Sequence, residues 1–290
     1  MKPAWKGKAL TRPLVIILSA LLLTPPASAA QIIDLSTGAQ ISEDALAEQL
    51  RTRDVVLLGE LHDNARHHAL RARLIARFAG KQTTVVAEHL PAPARVTFHH
   101  ALRDDLESAG FDTKGWGWPL HEPLFDAIRV QGLPLVGGNL PKGFSKQLMM
   151  KGETALPSVL ADAYRKSPLS SAAQGRLDSD LVDGHCGKLP EKYVPPMRLV
   201  QRATDLSMAE MLLEHRPSVL VAGNGHVRKD YGVPQVITAL APSANIAAVG
   251  FYEEGTDRQE LVQSLAGRYD YVWLTERAER SDPCENFKIK

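Results

Sequence analysis

The sequence predicts an α/β protein with a mainly parallel central sheet, flanking helices and a helical inserted lobe. Two observations carry this expectation. Short, continuous apolar runs recur along the chain, and each ends in small residues followed by a carboxylate, an amide or an imidazole. Asp54 to Leu58 leads into Gly59–Glu60–Leu61–His62, Thr84 to Ala87 into Glu88–His89, Leu133 to Val136 into Gly137–Gly138–Asn139, and Ser218 to Ala222 into Gly223–Asn224–Gly225–His226. Runs this short and apolar read as strands buried on both faces, and the amphipathic stretches between them read as crossover helices.

The elements follow in order. Asn64 to Phe78 reads as a helix with Leu70, Leu74, Ile75 and Phe78 on one stripe and Arg66, Arg71, Arg73 and Arg77 largely on the other. Pro91–Ala92–Pro93 suits a helix start, so Arg95 to Leu106 is expected to be helical. Phe111 to Pro119 is a loop carrying Trp116 and Trp118, and Glu122 to Gln131 a short helix stopped by Gly132. From about Lys142 to Pro196, prolines, glycines and polar stretches break the pattern, which marks the candidate inserted lobe. Met197 to His215 is a strong helix ended by Pro217. A helix near Gln235 to Leu240 and strands at Ile246 to Tyr252 and Tyr269 to Leu274 complete the chain.

The N-terminus predicts export. Lys2, Lys6, Lys8 and Arg12 precede an apolar stretch from Leu14 to Leu23, and small residues follow up to Ala29–Ala30. This is the pattern of a removable signal peptide over residues 1–30, leaving a mature domain over 31–290. The apolar core is shorter than the ~20 residues of a membrane span. No cysteine stands at the junction, so no lipobox is seen and a lipid-anchored N-terminus is not supported. The expected location is a bacterial periplasm or an extracellular space. The signal carries four of the 34 basic residues and none of the 33 acidic ones, so the mature chain has a net charge of −3. A mildly acidic surface with mixed signs gives no footprint for nucleic acid.

Cys186 and Cys284 are the only cysteines. In an oxidising compartment one long-range disulfide is the expected reading. The competing reading is two free thiols with Cys186 serving as a ligand.

In a parallel sheet the carboxyl ends of the strands form the ligand crevice, so Glu60, His62, Glu88, Asn139 and His226 are expected at one edge. Two carboxylates and two imidazoles, Glu60, His62, Glu88 and His226, suit a divalent metal of the zinc or manganese type and hence a metal-assisted hydrolase, a protease or an esterase. Without metal, His62 beside Glu60 suits a general base oriented by a carboxylate. The plain alternative is that Glu60 and Glu88 cap loop amides. No Gly-x-Ser-x-Gly or His-Glu-x-x-His occurs, which disfavours the familiar serine and zincin mechanisms. His67, His68, His99 and His100 are expected to have surface or capping roles and His121 and His215 lie near helix ends, while His185, in the loop beside Cys186, stays a candidate.

Gly59–Glu60–Leu61–His62, Ala87–Glu88–His89, Gly184–His185–Cys186–Gly187, Gln201 to Ala209, Gly223 to Pro234 and Asp282–Pro283–Cys284–Glu285, taken in order, resemble the ChaN family of haem-binding proteins. The likeness extends over nearly all the mature chain and reaches the wider superfamily of TIKI proteases, TraB proteins and erythromycin esterases. The resemblance implies haem binding, iron-linked expression, tyrosine ligation and periplasmic or outer-membrane placement. No Cys-x-x-Cys-His is present, so the expected cofactor is ferric haem b held non-covalently. Tyr231, five residues after His226, is the first choice of ligand, with Arg228 and Lys229 placed to favour its phenolate or meet propionates. Tyr193 is the second. A homodimer is expected to cover the open face of the haem, and outer-membrane haem uptake components are the expected partners.

Overall fold

The computed structural model describes Met1, residues 30–282, Cys284 and Glu285. The expected signal peptide lies almost entirely outside the described residues. No helix among those described is long and apolar enough to cross a membrane.

The chain begins with strands β1 (Gln31–Asp34) and β2 (Gln40–Ile41) and helix α1 (Glu43–Arg51), followed by β3 (Val55–Leu58), α2 (Ala65–Phe78), β4 (Thr84–Pro91) and β5 (Arg95–Val96). Helices α3 (Leu102–Ser108) and α4 (Glu122–Val130) lead to β6 (Leu135–Asn139). A helical stretch follows, with α5 (Phe144–Lys151), α6 (Ser158–Lys166), α7 (Ser171–Gly184) and the long α8 (Val194–Glu214). The chain closes with β7 (Ser218–Val221), α9 (Val233–Leu240), β8 (Ile246–Glu253), α10 (Arg258–Leu265) and β9 (Tyr271–Thr275).

The nine strands form one sheet in the order β2-β1-β9-β8-β3-β7-β4-β6-β5. Strands β9, β8, β3, β7, β4 and β6 are mutually parallel, and the short edge strands run antiparallel to their neighbours. Side chains alternate across the strands as a period of two requires. Val56, Leu58, Val85, Ala87, Val219 and Val221 join the core under α1 to α4. Val55, Leu57, Val86, Leu220 and Ala222 join the core under α8, α9 and the helical stretch. Fully buried strands are therefore apolar on both faces, which is why they read as continuous runs.

The path from β3 to β4 skips over the position that β7 later fills, so the carboxyl ends of β3, β7 and β4 sit side by side. Leu58 and Ala87 both pair with Val221, which sets Glu60, Glu88 and Gly223 just beyond one common row. This is the topological switch at which a parallel sheet opens a crevice.

Three expectations are corrected. Arg95 to Leu106 is not one helix: Arg95–Val96 pairs with β6, and α3 begins only at Leu102. β-Branched Val96 and Thr97 disfavour the helix, and the Gly137 amide donates to the Ala94 carbonyl to fix the extended path. Arg71 does not share the solvent-facing stripe of α2 but is fully buried. Strand β4 continues through Glu88 and His89 rather than ending before them. The sequence reading also passed over β1, β2, α1 and α10. Among these, α1 carries a clear start signal in Ser42, whose side chain accepts from the Ala45 amide. Cys186 and Cys284 form a disulfide with Cα atoms 5.5 Å apart.

Candidate functional site

The crevice is built from two turns and a strand end. Gly59 lies against the Asn224 side chain so closely that a Cβ would sit 2.1 Å from Oδ1, and a Cβ on Gly223 would meet His62 Nε2 at 2.7 Å. Glycine at 59 lets the β3 and β7 turns come together, and a side chain at 223 would displace the His62 ring. Asn224 then locks the pair to β8, its Oδ1 accepting from the Phe251 amide at 3.0 Å.

These turns bring the expected residues into contact. His62 Nδ1 donates to Glu60 Oε1 at 2.7 Å, and its Nε2 faces Glu88 Oε1 at 3.9 Å. Glu88 Oε1 is 3.5 Å from His226 Nε2, while its Oε2 accepts from the Gly223 amide at 2.7 Å. Asn139 braces this edge by donating to the Glu88 carbonyl at 2.9 Å. His62 is the open member, with its side chain 46 % exposed. Trp116 packs 5.2 Å from its ring.

Several members escaped the sequence reading. Asp205 on α8 is fully buried, and its Oδ1 pairs with His226 Nδ1 at 2.7 Å. His226 thus lies between two carboxylates. Burial alone would lower its pKa, but Glu88 and Asp205 outweigh that and push it up to about 10. Glu88 is driven the other way: burial would raise it, and the His226 and His62 rings hold it well below the ordinary carboxylate range.

Beneath the crevice lies a second layer, wholly buried: His67, His68, Arg71, His89 and His121. The expected surface or capping roles for His67 and His68 are therefore corrected. His67 Nδ1 accepts from the Leu61 amide at 3.1 Å, and His68 Nε2 donates to the His62 carbonyl at 3.0 Å, so the first turn of α2 fastens the Gly-Glu-x-His turn from below. Arg71 pairs with Glu60 and donates to His68 Nδ1 at 2.8 Å. Burial lowers the Arg71 pKa to about 9, that of His68 to about 4 and that of His67 to about 3. A signal for Arg71 was present: positions 71, 74, 75 and 78 share the apolar stripe of α2, so the arginine sits in register with the core.

These shifts fix a pH profile. His67 and His68 bind protons more readily unfolded, so their stabilisation is present above the usual 6.5 and is lost as pH falls toward 4 and 3. His226 has the opposite sign: its contribution is complete below 6.5 and is lost as pH rises toward 10. The urea midpoint is expected to peak near neutrality and fall on both sides. In His226→Gln the alkaline limb should flatten; an unchanged alkaline limb would refute the charged-His226 assignment.

The other sequence candidates are placed differently. Tyr231 is 2 % exposed and its hydroxyl donates to Asp180 of α7 at 2.6 Å, which corrects the expectation that it reaches into an open cavity. Burial, reinforced by the Asp180 carboxylate, raises its pKa and keeps the phenol neutral. Arg228 lies over the Tyr231 ring, 4.3 Å from its centroid, and is bound by both oxygens of Asp230 and by Asp180. Lys229 pairs with Asp270. Neither cation is free to meet a propionate. His185 caps α7 and donates to the Leu181 carbonyl at 2.6 Å. Tyr193 alone of the six tyrosines is exposed, at 40 %, with the Lys192 ammonium 5.0 Å from its ring centroid. It stands at the start of α8; Gln201, eight residues or about 12 Å further along that helix, has its amide nitrogen 3.0 Å from His226 Nδ1.

A cleft of about 560 Å³ adjoins the crevice, walled by Leu90, Pro91, Phe111, Trp116 and Leu140 with Lys142 at the side. The apolar walls and Lys142 of this cleft are surfaces that haem requires, and the chain also offers an exposed phenol, Tyr193, and an exposed imidazole, His62, neither of which is among the residues lining the cleft. These residue types fit that group chemically.

A three-layer α/β fold with carboxylates and histidines gathered at its switch point defines a ligand-binding protein of the open-sheet class. The sequence profile of the haem-binding uptake family ChaN, in the Tiki superfamily, matches residues 46–237, and the chain belongs to this family. The fold is similar to that of a Campylobacter jejuni ChaN solved with cofacially bound haem, with 22 % identity, a TM-score of 0.67, and coverage of 84 % of this chain and 96 % of that one. A Bacillus cereus protein of known structure is a more distant likeness, 12 % identical with a TM-score of 0.47 over 81 % of this chain and 92 % of its own. No curated protein matches the sequence significantly.

Proposed function

We propose that this is an exported haem-binding protein of haem and iron uptake, working in the periplasm or at the outer-membrane periphery and holding ferric haem b non-covalently through Tyr193. Family membership supports the haem class. The observation that carries the ligand choice is exposure: Tyr193 offers its phenol to solvent, whereas Tyr231 is enclosed and hydrogen-bonded to a carboxylate. The Lys192 ammonium lies 5.0 Å from the Tyr193 ring centroid and adds a cation beside the proposed ligand. A haem held on so open a surface leaves one face uncovered, and a second copy of the chain would cover it. When bound, haem supplies a ferric centre for axial coordination; the chain supplies the phenolate, apolar contact and shielding from water. Outer-membrane uptake components are the proposed delivery partners.

Reconstitution with ferric haem tests this. Tyr193→Phe is expected to remove the phenolate-to-iron charge-transfer band and weaken binding, and Tyr231→Phe to spare both. The opposite pattern would reinstate Tyr231, and no effect of either would end tyrosine ligation by these residues. Size-exclusion chromatography with light scattering should show a dimer when haem is added.

A second reading, a metal-assisted hydrolase using Glu60, His62, Glu88 and His226, is favoured by the His62–Glu60 pair, an imidazole oriented by a buried carboxylate beside an open cleft. Ester and peptide substrates assayed with and without divalent metal separate it from the first, since turnover lost in His62→Ala would establish it.

A further inference from the structure

We propose that Glu60, His89 and His121 form a buried site for a divalent first-row transition-metal ion, sharing Glu60 with the Glu60/His62/Glu88/His226 set but taking its other two ligands from outside it. One possible ligand atom from each of the three lies within 4.8 Å of the other two. His89 Nε2 is 3.3 Å and His121 Nε2 3.7 Å from the same carboxylate oxygen, Glu60 Oε1. Metal–ligand bonds of about 2.0–2.2 Å at tetrahedral angles separate neighbouring ligand atoms by about 3.3–3.5 Å. The two spacings to Glu60 Oε1, 3.3 and 3.7 Å, are close to those of ligands around one ion, and the two imidazole nitrogens lie within 4.8 Å of each other.

The strongest sign is His121. It is completely buried, and neither ring nitrogen has a hydrogen-bond partner. At 3.7 Å its Nε2 is too far from Oε1 for a hydrogen bond, yet it points there. A buried polar group left unpaired is destabilising, and a cation between Nε2 and Oε1 removes that cost at this nitrogen. Strand alternation explains how the site is separate from the crevice: Glu88 and His89 are neighbours on β4, so their side chains leave opposite faces, Glu88 to the crevice and His89 toward α2 and α4.

The surroundings suit a bound ion. Arg71 holds the other carboxylate oxygen, which leaves Oε1 free to ligate, and the His62 Nδ1 hydrogen bond to Oε1 links the site to the crevice as an outer-shell contact. Arg71 opposes a cation, but three carboxylates, Glu60, Glu88 and Asp205, face two cationic groups, Arg71 and His226, across the whole cluster. Trp116 lies 4.5 Å from the His89 ring and 5.9 Å from the His121 ring, closing the site with an indole. Two histidines and one carboxylate with positions left open is the donor set of ferrous and zinc sites.

The test uses the mature protein without haem, dialysed against chelator and titrated with Co(II). One equivalent is expected to bind with visible d–d bands, to be displaced by Zn(II), and to raise the melting temperature. The bands should be lost in His121→Asn and in His89→Gln and kept in His226→Gln. Should those two variants not fold, His121→Cys gives a direct reading, since a sulfur-to-cobalt charge-transfer band is expected only if residue 121 ligates. Absence of cobalt bands in the wild-type protein overturns the proposal. So do bands lost in His226→Gln but kept in His121→Asn, or d–d bands without the charge-transfer band in His121→Cys.

Discussion

Glu60→Gln is expected to lower the stability of the fold by about 3–5 kcal/mol, because it leaves the buried Arg71 guanidinium without a counter-charge. Both side chains of this ion pair are fully buried. The amide keeps the shape and some hydrogen bonding but not the charge, so packing cannot account for the loss. Glu60 also accepts from two imidazoles, His62 Nδ1 at 2.7 Å and His89 Nε2 at 3.3 Å, with His121 Nε2 nearby at 3.7 Å. The carboxylate is therefore structural as well as chemical, and loss of any activity in Glu60→Gln proves nothing until stability is measured. Urea unfolding supplies the measurement, and the double variant Glu60→Gln/Arg71→Met supplies the control. Removing both charges should recover a large part of the loss, since a buried pair replaced by neutral groups of similar size is often close to neutral in stability. If the single variant unfolds within about 1 kcal/mol of wild type, below the range for a broken buried pair, the charge is not held as the geometry states.

Much of the fold was legible because buried parallel strands leave a signal that needs no partner. Val55 to Leu58 and Ser218 to Val221 are apolar on both faces, and the residues at their ends fall together as soon as the strands are parallel. Glu60, His62, Glu88 and His226 were found in this way. The layer below was hidden because a polarity pattern assigns histidine and arginine to solvent. His68 and Arg71 instead occupy the inner face of α2, where Glu60 compensates the buried charge. Asp205 was hidden in the same manner, on a helix buried along almost its whole middle, where His226 is its partner. Tyr231 shows the limit of short-range reading. Its five-residue distance from His226 places it near the crevice, but α7, from a stretch some fifty residues earlier, supplies the Asp180 that captures its hydroxyl. Such a contact has no local pattern.

Reduction of Cys186–Cys284 is expected to cost several kcal/mol of stability, nominally about 4.7 for a loop of this size in the chain-entropy treatment. The bridge spans 98 residues, so the unfolded chain gains most from its release. Native contacts bear on how much of that is realised. After β9 the tail is held at Arg280, which pairs with Glu253 and, at 2.9 Å, with Asp63 beside the open His62. The tail then reaches Cys186 just beyond α7, so the disulfide joins the Gly-Glu-x-His turn region to the helical stretch that carries Tyr193. Those ion pairs survive reduction in the native state, and the loss should therefore appear mainly as a lower urea midpoint with the secondary structure intact. Titration of unreduced, denatured protein should find no free thiol. The double variant Cys186→Ser/Cys284→Ser should match the reduced wild-type protein, and added reductant should not change it further. If reduction shifts stability by less than about 1 kcal/mol, well under the 2–5 expected for a native bridge, the tail is fixed by its ion pairs and the disulfide is not what constrains it. The haem spectrum of the reduced form then separates the two roles of the bridge: a spectrum unchanged despite lower stability means that it stabilises the chain without positioning Tyr193.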